Sequence, residues 1–282
     1  MAGGNAMKPG HSGGYRGPVR AAIFDWAGTV VDCGSRAPVQ AFVEAFAGFG
    51  VTLGEADVRR FMGLSKRDHI LALAAMPSVA SAWRARHGCG VSEDDVQRLH
   101  DAFTRLQSET VARFAEPIAG VLPAIAALRE RGIRIGSTSG YPRSVMQALL
   151  PAAAGHGYAP EHVICEDDVP RGRPAPYMAL KSMVALDVWP VAACIKVDDT
   201  PAGVEAGRNA GMWAVGVAMT GNQVGLDPDQ LARLNDAERA ALQAGAVRAL
   251  GAAGAHFVID SAADVLTVVE RIEQRLAAGE RP

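Results

Sequence analysis

Apolar positions fall in two rhythms along this chain. Residues 19–24 are mostly Val, Ala, Ile and Phe and read as a short buried strand that runs into Asp25. From Ala37 to about Arg113, one helical period follows another with no convincing strand, over 38–49, 55–61, 66–75, 78–87 and 93–113. Ser92 before Glu93, Asp94 and Asp95 is a helix start, with a capping hydroxyl and acids in the first turn. Beyond Glu116 and Pro117 the rhythm becomes alternating. Strands are expected over 133–137, 162–165, 194–197 and 213–217, and helices over 122–131, 142–150, 176–186 and 201–210. A helical region over 228–250, a strand over 256–259 and a helix over 262–277 complete the chain.

Strands alternating with helices predict an α/β fold, a parallel-sheet Rossmann-like core covered on both faces. The helical block interrupts that alternation after the first strand, so it reads as an inserted all-helical cap. The expected division is a disordered Gly-rich tail over 1–18, a core from 19–35 and 114–282, and a cap over 36–113. Parallel sheets of this kind place ligands at the carboxyl ends of their strands. Asp25, Ser139 and Asp199 each fall at or just past such an end, and the cap would overhang them.

The 282 residues are 49% hydrophobic and 21% charged, ordinary for a protein with a real core. A net charge of −2 argues against nucleic acid or a basic membrane surface as partner. No apolar run approaches the roughly 20 residues of a membrane span. Cys33, Cys89, Cys165 and Cys194 are widely spaced without a CxxC, which fits free thiols in a cytoplasmic protein.

The chemistry begins at AAIFDWAGTVVD, where Asp25 ends the first strand and a Gly-Thr turn follows. The stretch is a DxDGT phosphate-transfer signature with Ala27 in place of the second acid. Farther on, IKVDDT puts Asp198 and Asp199 at a second strand end. Carboxylates on two neighbouring strand ends suit a hard cation such as Mg²⁺, although either acid could instead cap the next helix. Between them, GSTSGY offers hydroxyls and backbone N–H groups at a helix start, a setting for a phosphoryl group. The loop DDVPRGRPAP carries Arg171, read as exposed, and Arg173, read as a phosphoryl partner. Together and in this order, these motifs resemble the haloacid dehalogenase superfamily of phosphoryl-transfer hydrolases. The resemblance implies that the first Asp attacks phosphorus. It also implies that the acid two residues on would protonate the leaving group, a contribution of about 10²–10⁴-fold that Ala27 cannot make.

The helical block offers a way round that loss. In FMGLSKRDHILALAAMP, Lys66 opens an apolar helix and His69 lies three residues on, on the same face. A lysine at a desolvated site can form a Schiff base with a carbonyl, and the protonated imine is an electron sink. A carbon could then leave phosphorus as an enamine without a general acid. From composition alone a solvated lysine at a helix start is the favoured reading, since lysines are mostly exposed. With FDWAGTVVD, FMGLSKRDH, GSTSGY, GRPAPYM and KVDDT followed by EAGRNAGMWAVGV, the chain resembles the phosphonatase branch of the superfamily from about Val19 to its last helix.

That resemblance implies hydrolysis of the P–C bond of phosphonoacetaldehyde, Mg²⁺ as cofactor and a homodimer joined through the cap. It implies Asp25 as nucleophile and metal ligand, with the Ala27 carbonyl and Asp199 completing the protein ligands and Asp198 in support. Ser139 and Gly140 would hold phosphoryl oxygens and Arg173 would balance their charge. Lys66 would form the imine with His69 assisting, and Trp26, Met62 and Tyr141 would line the pocket. Two departures stand out. Gly203 occupies a place where many superfamily members have a further acid, with Asp198 available to substitute, and Ser139 stands where Thr is also common. The alternatives to be distinguished are a related Mg²⁺-dependent phosphatase of a small ester and a non-catalytic phosphate-binding relative.

Overall fold

A computed structural model describes residues 14–282. Most of the expected N-terminal tail therefore lies outside the described residues. At its edge, Tyr15 packs against the core and donates its hydroxyl to the Pro18 carbonyl at 2.7 Å. Strand β1 (Ala21–Phe24) is followed by five helices: α1 (Arg36–Gly48), α2 (Glu55–Arg59), α3 (Lys66–Ala75), α4 (Pro77–His87) and α5 (Glu93–Thr110). Then come α6 (Val121–Glu130), β2 (Arg134–Ser139), α7 (Arg143–Gly155), β3 (His162–Cys165), α8 (Tyr177–Ala185), β4 (Cys194–Asp198) and α9 (Pro201–Asn209). The chain finishes with β5 (Trp213–Val217), α10 (Pro228–Arg233), α11 (Asp236–Ala252), β6 (Phe257–Ile259) and α12 (Val265–Ala277).

The strands form one parallel sheet in the order β3-β2-β1-β4-β5-β6. Its central strand shows why the apolar run is continuous. Ala22 and Phe24 pack into one cluster while Ala21 and Ile23 pack into another, so both faces are covered. Phe24 stands opposite Ser137 on one side and Val197 on the other. Successive connections run outward one way from β1 and then the other way from β4, so a crevice opens between the carboxyl ends of these two strands.

The inserted helices bury Phe42, Phe46, Val58, Ile70, Leu73, Trp83, Leu99 and Phe103 in a cluster continuous with the sheet's own. Helix α5 begins as its sequence dictates. Ser92 Oγ accepts the Asp95 N–H, and the Asp95 carboxylate accepts the Ser92 N–H in return.

Three differences from the sequence reading have clear physical causes. Strand β2 continues through Thr138 and Ser139, because β3 pairs with both, whereas hydroxyl residues read locally as a turn. Helix α7 continues past Pro151, where buried Leu149 and Ala153 on one face hold the turn that proline weakens. The helical region after 228 is two helices, the second restarted by the Asn235 side chain accepting the Glu238 N–H. Among the described residues, no helix is long and apolar enough to cross a membrane, and the four cysteines are free.

Candidate active site

Asp25 is the first residue beyond β1, and its N–H still joins the ladder, donating to Val197 O at 3.0 Å. Asp198 ends β4 and Asp199 follows it. The crevice therefore gathers three buried carboxylates, with one oxygen of each lying within 4.8 Å of the others. Two cations are buried with them. Arg173 donates to Asp25 Oδ1 at 2.5 Å and to the Thr138 carbonyl and hydroxyl at 3.2 Å, and it pairs with Asp198 Oδ2 at 3.2 Å. Lys196 Nζ reaches Asp198 Oδ2 at 2.6 Å.

The three acids are not equivalent. Asp198 also accepts from the Thr200 N–H and hydroxyl at 3.1 and 2.8 Å, so both its oxygens are engaged. Burial works to raise its pKa, but Arg173 and Lys196 outweigh burial and hold it below the ordinary carboxylate range. Asp199 Oδ2 accepts from Ser35 Oγ at 2.8 Å and the Asn222 N–H at 2.7 Å, whereas among the described residues Oδ1 has only Thr29 Oγ1 at 3.4 Å. Burial, then repulsion from Asp25 and Asp198, pushes Asp199 well above its ordinary value. Burial also raises Asp25, against the pull of Arg173.

Two acids that are costly to ionise together, each with an oxygen little engaged by the protein, are what a buried cation would relieve. The donor set is all oxygen, so the residues fit a hard divalent ion, and Asp198 is bound too fully to serve as more than a support. Gly28 makes the approach of Asp199 possible. Its φ is +78°, and a Cβ there would lie 2.1 Å from Asp199 Oδ2.

Gly203 has a related explanation. A Cβ at this position would lie 2.0–2.1 Å from the carboxyl atoms of Asp198, so Asp198 fills the volume that a side chain at 203 would take. The carboxylate cannot move aside without breaking its ion pairs with Lys196 and Arg173. Gly203→Ala is therefore expected to destabilise the protein by about 1–3 kcal/mol, as overpacking of a close-fitted site does. Thermal unfolding measures this, and an unchanged Tm would show that the acid is mobile.

Asp25, Ala27, Met62, Lys66, Ser139, Gly140, Tyr141, Arg173 and Asp199 all line one cavity of about 340 Å³, part of it continuous with solvent. Ser139 Oγ accepts the Tyr141 N–H at 3.0 Å, which leaves its own proton free to donate. The cap side contributes Lys66, which is 3% exposed. Its Nζ sits among three rings, 5.7 Å from Phe42, 5.5 Å from Phe103 and 5.1 Å from Tyr141. No carboxylate lies within ion-pair distance of this amine among the described residues. Burial, opposed by Glu166 and aided by Arg173, lowers its pKa to about 8.

Two expected pocket or catalytic residues do not line the cavity. Trp26 is turned into the core, with its ring against Tyr158 at 4.8 Å. His69 lies buried behind Lys66, its Nε2 2.9 Å from the Val58 carbonyl. That carbonyl fixes the proton on Nε2. Burial, with the nearby Lys66, lowers the ring's pKa to about 3, so the imidazole is neutral.

Lys196 escaped the sequence reading although a signal existed, since a lysine inside a buried apolar strand needs a partner. Asn222 carries no such signal. It is brought to Asp199 only by folding.

A family model described as a haloacid dehalogenase-like hydrolase matches residues 19–211. A phosphonoacetaldehyde hydrolase of Aeromonas hydrophila is 53% identical over 268 residues, covering 94% of this chain and 95% of that protein. One from Salmonella typhimurium is 49% identical over 266 residues, covering 94% of this chain and 99% of its own. The crystal structure of a phosphonoacetaldehyde hydrolase-like protein from Oleispira antarctica superposes with a TM-score of 0.95 at 42% identity, covering 98% of this chain and all of that one. The chain belongs to the phosphonoacetaldehyde hydrolase family, within the haloacid dehalogenase-like hydrolases.

Proposed function

We propose that this protein hydrolyses the P–C bond of phosphonoacetaldehyde to acetaldehyde and phosphate. The observation that carries this reading is that a desolvated amine, Lys66, and a strand-end carboxylate, Asp25, line the same cavity. The helical segment 36–113 acts as a cap on a core formed by 19–35 and 114–282, and its closure keeps water from the amine.

In the reaction, neutral Lys66 adds to the aldehyde carbon, and uptake of one proton from solvent with loss of water leaves a protonated imine. The phosphonate lies against Arg173, Ser139 and the Gly140 backbone, with Met62 and Tyr141 flanking it. Asp25 attacks phosphorus. The P–C electron pair moves into the iminium, leaving an enamine on Lys66 and a phosphoryl group on Asp25. Protonation of the enamine carbon and hydrolysis of the imine release acetaldehyde, and a second water frees phosphate from Asp25. His69 assists Lys66 as a neutral acceptor at Nδ1, since Nε2 is committed to the Val58 carbonyl. Trp26 supports the end of β1 from the core. Mg²⁺ held by Asp25, Asp199 and the Ala27 carbonyl would supply charge neutralisation at the phosphoryl oxygens. Homodimerisation through the cap, on which Leu71 is exposed, and a cytoplasmic location consistent with the free cysteines belong to the same reading. Sedimentation at twice the chain mass checks the dimer.

Borohydride trapping with phosphonoacetaldehyde, followed by peptide mapping, tests the imine. A reduced adduct on Lys66 is expected, and release of phosphate from esters without any adduct would replace this reading with a phosphatase. Only the neutral amine condenses. The trapping rate should therefore rise about tenfold per pH unit at low pH and level off above about 8. A limb near 10.5, the ordinary lysine value, would show an amine that is solvated in the working enzyme.

A further inference from the structure

The seam between the cap and the strand ends is closed by residues 63–66, which meet the core connections after β4, β2 and β3. A Cβ on Gly63 would lie 2.3 Å from Thr200 Oγ1, after β4. The Leu64 carbonyl oxygen lies 3.7 Å from where a Cβ on Gly140 would sit, after β2. A Cβ on Gly172 would lie 3.0 Å from Ser65 Cβ. Lys66 makes the polar contact of the four, its backbone N–H donating to Glu166 Oε2 at 3.0 Å.

Glu166 belongs to the core. It opens the one-turn 3₁₀ helix that follows β3, and it is half-buried. Lys66 is the first residue of the ten-residue α3, and the third N–H of that helix is taken by Ser65 Oγ at 3.1 Å. The first N–H has no partner within its own helix. A carboxylate brought to it from another domain meets both an unpaired donor and the positive end of the helix dipole. The geometry points to Glu166 as a positioning residue: its carboxylate clasps the first turn of α3 from the core side and holds the helix that carries the Lys66 amine over the strand ends. This inference rests on the reading of Lys66 as the condensing amine.

The same carboxylate bears on the charge of that amine. Charged and titratable groups face Lys66 from every side: Glu166 after β3, Arg173 in the following loop, Asp25 after β1, Asp199 after β4, Tyr141 after β2, His69 on α3 and His100 on α5. Glu166 is the strongest of those that favour the ammonium form. Glu166→Gln keeps an acceptor for the N–H but removes the anion. Glu166→Ala removes both.

The experiment measures borohydride trapping of phosphonoacetaldehyde on Lys66 across pH in the wild type and both variants, with amide hydrogen exchange over residues 64–69. Glu166→Ala is expected to trap about tenfold more slowly on the plateau and to exchange the Lys66 amide faster. Glu166→Gln should keep most of the plateau rate while its limb between about pH 7 and 8, where Glu166, itself raised to about 7 by burial, is ionised, moves to lower pH. A residue that merely stabilised the fold would not move that limb. Wild-type trapping and an unchanged limb in both variants would overturn the proposal. So would unchanged exchange at Lys66 in Glu166→Ala, and that result does not depend on any imine. A wild type that gives no adduct removes the imine reading itself, while the exchange arm still decides whether the clasp exists.

Discussion

Lys66→Arg is expected to give no borohydride adduct and to lower turnover of phosphonoacetaldehyde by at least about 10⁴-fold, the upper end of what a positioned general acid contributes. The substitution keeps a positive charge among Phe42, Phe103 and Tyr141, so electrostatic attraction for the phosphonate survives. What it removes is the capacity to bond covalently to the aldehyde. Without the imine, carbon must leave phosphorus as an enolate anion, a poorer leaving group than the neutral enamine, and Ala27 offers no proton in compensation. Burial also makes the native lysine reactive. Lowering its pKa from 10.5 to about 8 raises the neutral fraction at pH 7 about 300-fold. Steady-state phosphate release and intact mass after reduction check the prediction. Turnover within tenfold of wild type in Lys66→Arg would eliminate the Schiff base.

Asp25→Asn is expected to abolish turnover, by on the order of 10⁴-fold or more as for other catalytic nucleophiles, while leaving the fold as stable as before or more so. The amide oxygen can still accept from Arg173, which now donates to Asp25 Oδ1 at 2.5 Å. The substitution removes one of three buried carboxylates whose mutual repulsion contributes to raising Asp25 and Asp199. Relief of that repulsion offsets the loss of the ion pair, the usual relation between stability and a site built for catalysis. Thermal unfolding with and without Mg²⁺ separates the two effects. Wild type should gain Tm on adding the ion, and Asp25→Asn should gain much less. Retention of both turnover and the Mg²⁺ shift in Asp25→Asn would remove this residue from the mechanism and from the metal site.

Much of this was legible along the chain because the signals are local. A buried parallel strand has two covered faces, so Ala21–Phe24 had to be continuously apolar, and a carboxylate closing such a run is conspicuous. Ser92 and the acids after it announced α5 because a helix start satisfies its own N–H groups within four residues. The errors were also local. Ser139 reads as a turn until β3 is known to pair with it, and Pro151 reads as a stop until the burial of Leu149 and Ala153 is seen.

By itself the sequence determined the alternation of strands and helices, the placing of Asp25, Ser139 and Asp199 at strand ends, and the inserted helices that carry Lys66. Each of these follows from periodicity and from the short reach of turns and caps. Only the tertiary structure decided what those residues are chemically. Phe42, Phe103 and Tyr141 come from three separate segments to desolvate Lys66. Arg173 and Lys196 converge to hold Asp198 ionised, and the empty side of Gly203 gives that acid its place. Trp26, adjacent to Asp25, faces Tyr158 instead of the cavity. Burial and charge depend on everything within several ångströms in space, whatever its distance along the chain, and these set the pKa of a group.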